Sequence, residues 1–174
     1  MNAELQRFLT LFDALFTLTN KWMAAAPDEK LDWVPFDNPH MKFGDRISAI
    51  SIRSLYVHTI VGECSWARLL RDCEAGASLK PVPDAGLTKR LMESRDLVAD
   101  ATALHRENMQ LFSGYGDEQL ARRIRWTGRE WTVMGFLWGI YSHRSYHLGN
   151  IDLYLREADA PAPDFFSSFQ PVLA

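Results

Sequence analysis

Four stretches of this chain repeat an apolar side chain every three or four residues, and each is long enough to cross a small helical bundle. In the first, from Asn2 to Ala26, the stripe is Leu5, Phe8, Phe12, Leu15, Thr19 and Trp22, with Asn2 as cap and Pro27 as stop. Ser51 opens the second, which runs to about Ala75 ahead of Gly76 and carries Leu55, His58, Gly62, Trp66, Leu69 and Cys73 on one face. The third extends from about Leu87 to Phe112 through Leu91, Val98, Ala101 and Leu104. Thr132 caps the fourth, which reaches about Glu157 with the stripe Ile140, His143, His147, Ile151 and Tyr154. Alternation of strand type is confined to "RIRWTGREWT" (123–132), which predicts a small hairpin about Thr127-Gly128. Stripes of this kind are buried by packing helix on helix, so the expected fold is an all-α bundle. The chain length fits one domain, 1–174, with the bundle at about 2–157 and a tail at 158–174.

Two linkers and the tail interrupt the pattern. Residues 27–50 hold three prolines and a glycine, a long loop that must cover something or travel somewhere, and Trp33 is its candidate pocket cover. The segment "GASLKPVPDAG" separates the second and third helical stretches. In the tail, Phe165, Phe166 and Phe169 are too apolar to stand free, and the expectation is that they pack on the bundle or on a partner subunit.

Composition narrows the class. With 47% apolar and 24% charged residues the chain reads as an ordinary soluble globular protein. A net charge of -3 argues against nucleic acid, whose binding needs clustered Lys and Arg to release counterions. No apolar run reaches the roughly 18 to 20 residues of a membrane span, so no membrane partner is expected. Cys64 and Cys73 form neither a CxxC pair nor a disulfide framework, and no signal segment is evident, which together point to the cytoplasm.

The stretch "HRSYH" then raises a chemical question. Residues four apart on a helix differ by about 40° in direction and about 6 Å in height, so His143 and His147 project from one face. On an apolar stripe each imidazole needs a partner, because an unpaired buried polar group costs roughly 1–3 kcal/mol. A backbone or hydroxyl group is one answer and a metal ion is another. His58 sits at a compatible height if the second and fourth helices run antiparallel, and three imidazoles from two facing helices make the open tripod used by catalytic zinc. Gly62 and Gly139 each lie one turn from a candidate ligand; they either open space for a substrate or let the helices approach closely. Cys64 faces away from the tripod, Cys73 is too far along its helix, His40 reads as exposed and His105 as structural. Trp22, Trp66 and Trp138 read as core, and the charged groups "ESRD" and "HRE" as a solvated helix face.

"SIRSLYVHTIVGECSW" (51–66), "HRSYHLGNIDLYLRE" (143–157) and the loop "DWVPF" resemble the DinB/YfiT-like superfamily over about residues 1–157. Asn150 stands where that family often has Gln, which puts any substrate contact at this position in question. The resemblance implies a four-helix bundle of up-down-down-up connectivity, often a homodimer. It also implies a divalent ion, zinc or nickel, held by His58, His143 and His147, and in some relatives a low-molecular-weight thiol as co-substrate. The resulting expectation is a metal-dependent enzyme acting on a small molecule, with Tyr146, Asn150, Tyr154 and Arg144 as groups near enough to orient it. The competing expectation is a non-catalytic metal-binding or stress-response bundle whose ion is closed off by a fourth ligand or by dry packing.

Overall fold

The computed structural model describes residues 2–43, 47–80 and 82–166. Its six helices are α1 (Ala3–Ala25), α2 (Ile52–Asp72), α3 (Ala85–Met92), α4 (Leu97–Ser113), α5 (Asp117–Ala121) and α6 (Val133–Glu157), with a hairpin of β1 (Arg123–Trp126) and β2 (Arg129–Thr132) before α6. The helix starts follow capping chemistry. Asn2 accepts from the Glu4 and Leu5 amides, Ser51 and Ser54 form a reciprocal capping box, and Thr132 accepts from the Gly135 amide. In the hairpin, Ile124 faces Trp131 and Trp126 faces Arg129. Its two turn residues have φ of 50° at Thr127 and 75° at Gly128, the left-handed pair that a two-residue connection requires.

Ring contacts and hydrogen bonds define the helix directions. Trp22 donates to Asp152 and Trp138 to Glu4, so α1 and α6 run parallel. Trp66 packs edge-on to Phe136 while His58 meets His147, so α2 is antiparallel to α6. Phe8 packs on Phe112 and Phe16 on His105, so α4 is antiparallel to α1. The long helices α1, α2, α4 and α6 therefore form an up-down-down-up bundle, in which α1 and α2 each pack on both α4 and α6. Because α2 and α4 point the same way, the chain must climb back along the bundle between them, and α3 makes part of that climb on the outer face of α2. No helix among the described residues is long and apolar enough to cross a membrane.

Two helix boundaries differ from the sequence reading. The single third helix is two, since Asp96 accepts from the Ala99 amide and Ser94 bonds Asp100, so "ESRD" closes one helix and caps the next, with Glu93, Arg95 and Asp96 exposed. The second helix stops at Asp72, short of Ala75, because the following backbone leaves to pair with the hairpin: Gly76 donates to Arg123, Leu79 donates to Arg125, and Arg125 donates to Ala77. In the described part of the tail, Ala160 is buried in the bundle core, while Phe166 is 81% exposed and Phe165 38%. Phe169 lies outside the described residues.

Between α2 and α6 lies a charge pair withdrawn from water. Arg144 donates through Nε to Glu63 Oε1 at 2.7 Å and through Nη2 to Oε2 at 2.5 Å, and the two side chains are 0% and 1% exposed. The guanidinium also lies 4.9 Å from the Phe16 ring centroid. Removing one partner leaves the other charge uncompensated in the core, so Glu63→Ala is expected to destabilise the fold by about 3–5 kcal/mol in urea denaturation. The paired replacement Glu63→Leu with Arg144→Met is expected to recover most of that loss.

Candidate metal centre

Helix periodicity puts His143 and His147 on one face of α6, and the antiparallel packing of α2 brings His58 to them. His143 Nε2 lies 3.3 Å from His58 Nε2 and 3.1 Å from His147 Nε2, and one nitrogen from each ring falls within 4.8 Å of the others. A neutral imidazole nitrogen carries either one hydrogen or one lone pair, so His143 Nε2 serves one of its two contacts well and not both. A cation uses all three lone pairs at once. Metal–nitrogen bonds of about 2.0–2.1 Å at tetrahedral angles place donor atoms about 3.3 Å apart, which the two shortest separations match. The donor set therefore fits a divalent metal ion.

The surroundings are aromatic. The Trp66 ring stands edge-on to His143 at 4.8 Å, and Phe43 of the long crossover loop stands edge-on to His147 at 4.8 Å and lies 6.4 Å from His58. Phe43 is thus the loop residue that covers the cluster. Trp33, the candidate cover, instead lies beneath the Lys30 ammonium at 4.2 Å. Nothing in the loop sequence marks Phe43, because one aromatic ring among turn residues shows no period. On its α3 side the cluster meets a cavity of about 630 Å³ whose wall includes His58, Gly62 and Trp66.

The remaining sequence candidates separate. Gly62 lies beside the cluster, where a Cβ would meet Trp66 at 3.6 Å and His143 Cε1 at 3.8 Å. Gly139 lies beside the hairpin, where a Cβ would meet Trp131 at 3.8 Å. Arg144 is the core partner of Glu63 and is not available to a substrate. Tyr154 is only 3% exposed and packs against Phe36, away from the cluster, two turns beyond His147. Tyr146 is 61% exposed at the rim, its ring 5.1 Å from His147, while Asn150 donates its amide to the Tyr146 carbonyl. Glu63 escaped the sequence reading, although a lone acid inside "TIVGECSW" is the kind of signal that a buried ion pair leaves.

Electrostatics keep the buried imidazoles neutral. Burial, aided by the nearby His58, pulls His147 down from 6.5 to about 4. Burial and the Arg144 charge pull His105 from 6.5 to about 3, outweighing the Asp13 carboxylate 3.2 Å from its Nε2, because Asp13 is itself largely in solvent. The His105 ring is stacked on Phe16 at 4.0 Å, which supports its structural role, and His40 is exposed. Burial raises the Cys64 thiol to about 11, and its sulfur lies 3.6 Å from Asn108 on the far side of α2, so it is a poor nucleophile.

The DinB superfamily sequence profile matches residues 11–151. The chain belongs to the DinB superfamily. Among solved structures it is similar to YfiT from Bacillus subtilis, described as a probable metal-dependent hydrolase with an unusual four-helix bundle topology. That match has 16% identity and a TM-score of 0.63, covering 91% of this chain and 90% of the other. It is also similar to a DinB-like protein, YjoA, from the same organism, at 19% identity and a TM-score of 0.67, covering 92% of this chain and 96% of the other. At these identities the two likenesses show the fold. A comparison with curated proteins yields no match.

For this DinB-superfamily chain the depressed histidines set a pH dependence. Their folded values lie below the ordinary 6.5, so between those limits the unfolded chain binds more protons than the native one, and stability present above about pH 6.5 is lost as pH falls. Denaturation of the metal-free protein from pH 6.5 to 5 is expected to show, for each such histidine, a loss that steepens from about 0.7 toward about 1.4 kcal/mol per pH unit as the unfolded state becomes protonated. His105→Phe keeps the ring stacking and removes one share of that slope; an unchanged slope would contradict the assignment.

Proposed function

We propose that this protein is a metal-dependent enzyme that holds one divalent ion, zinc or nickel, on His58, His143 and His147 and acts on a small-molecule substrate by hydrolysis or by thiol transfer. The observation that carries the reading is the convergence of three Nε2 atoms, two of the separations being 3.1 and 3.3 Å, beside a cavity of about 630 Å³. An ion bound by three imidazoles keeps a coordination position for water or a thiol and lowers its pKa toward neutrality.

The chain's own residues supply the rest. Burial holds His147 neutral, the form in which its lone pair can act as a ligand. Trp66 and Phe43 shield the cluster from bulk water on two sides, which strengthens every electrostatic interaction within it. Gly62 keeps the cavity open beside His143. Tyr146 and Asn150, at the exposed rim beside Phe43, would orient a part of the substrate that extends beyond the cluster.

A non-catalytic bundle would be expected to close the ion with a fourth protein ligand. Among the described residues the cluster holds three histidines and no cysteine or carboxylate, and His58 itself lines the cavity, which favours the catalytic reading. Protein purified without chelators at neutral pH is expected to carry about one divalent ion per chain by elemental analysis. His147→Ala is expected to lose it while remaining folded by circular dichroism, and the wild type to release it as the pH falls toward about 4, where protons compete for the His147 lone pair. A metal-free wild type would overturn the proposal.

A further inference from the structure

The cavity beside the cluster is a trough with α2 as one wall and α3 as the other. On α2, Ser54, His58, Gly62 and Trp66 succeed one another one turn apart, a run of about 18 Å at 1.5 Å per residue, and Thr88 and Met92 face them from α3. Three of the four hydroxyl side chains of its wall already donate, Ser48 being the exception. Ser54 Oγ donates to the Ser51 carbonyl at 3.1 Å, Ser65 Oγ to the Val82 carbonyl at 3.0 Å, and Thr88 Oγ1 to the Asp84 carbonyl at 2.8 Å. Its charges are committed as well. Among the described residues of the wall the formal charges are Asp84, which accepts from Arg68 at 2.9 Å and from the Leu87 amide at 2.8 Å, and Lys89, which lies 4.0 Å from Glu93 with its side chain 75% in solvent.

A charged or strongly hydrogen-bonding group entering this trough would lose water and find few uncommitted partners, whereas an apolar group would displace water from Val57, Val61, Trp66 and Met92. Gly62 matters here for the same reason, since the absent side chain lets a flat group lie against the Trp66 ring. We infer that the trough between α2 and α3 is the substrate subsite of the metal centre and that it selects an uncharged apolar group, aryl or branched alkyl, seated over Gly62 against Trp66. The inference rests on the metal-dependent reading and narrows it, separating apolar esters, amides or electrophiles from phosphorylated and polyanionic metabolites.

Hydroxamates test it, because their two oxygens chelate a divalent ion while the attached group varies. On zinc-loaded protein, titration calorimetry is expected to show benzohydroxamate binding at least tenfold more tightly than acetohydroxamate, and the para-carboxylate of benzohydroxamate binding more weakly than its uncharged parent. Gly62→Val, which fills the seat, and Met92→Glu, which charges the rim without touching the cluster, are each expected to cut the aryl gain at least fivefold with zinc still near one per chain. Equal binding of the two uncharged probes, tighter binding of the carboxylate, or an aryl gain that survives both substitutions would overturn the subsite while leaving the metal reading intact. Failure of the wild type to take up zinc would instead remove the metal reading, and the subsite with it.

Discussion

Where α2 lies against α6, a buried ion pair and a histidine cluster share one interface. Glu63 and Arg144 meet in two parallel hydrogen bonds on the side facing Phe16 of α1, while His58, His143 and His147 meet on the side facing the crossover loop and α3. Arg144 adjoins His143 in sequence, so the bidentate pairing of its Nε and Nη2 with Glu63 also limits how far α6 can rotate or slide against α2. Each charge is tolerated in the core only because the other is there, so the interface has one register in which neither is stranded. That register is also the one that brings the Nε2 atoms to separations a single ion spans.

Connectivity turns this interface into a site. With α2 and α4 pointing the same way, the link between them has to run the length of the bundle, and the chain uses part of it to lay α3 along α2 instead of leaving that face bare. The space between the two helices is the trough beside His58. The link between α1 and α2 serves the other side, where Phe43 covers His147. One side of the histidine cluster is thus covered by an aromatic ring and the other opens on a largely apolar cavity.

Much of this was legible along the chain because it depends on local periodicity and local hydrogen bonds. The starts at Asn2, Ser51 and Thr132, the Thr127-Gly128 hairpin and the shared face of His143 and His147 each involve residues a few positions apart. The departures have the opposite character. The early end of α2 reflects pairing of residues 76–79 with a hairpin some fifty residues later, and Gly139 serves Trp131 because the hairpin folds over the start of α6. Arg144 was placed near a substrate on proximity in sequence to two ligands, yet a step of one residue turns a helix by about 100° and carries the side chain to the other side of the interface. The break at Ser94–Asp96 was local and open to a closer reading, since Asp96 is a good cap and only the flanking helical pattern concealed it.

The sequence by itself determined an all-α chain of capped amphipathic helices and the residues able to bind a metal, because spacing on a helix and the chemistry of a cap are fixed within one or two turns. Only the tertiary structure decided that the imidazole of His58 meets those of His143 and His147, that Glu63 neutralises Arg144, and that α3 leaves an apolar trough beside them. Those outcomes depend on the rotation and height of one helix against another, which burial and charge pairing set across the whole bundle and no local stretch encodes.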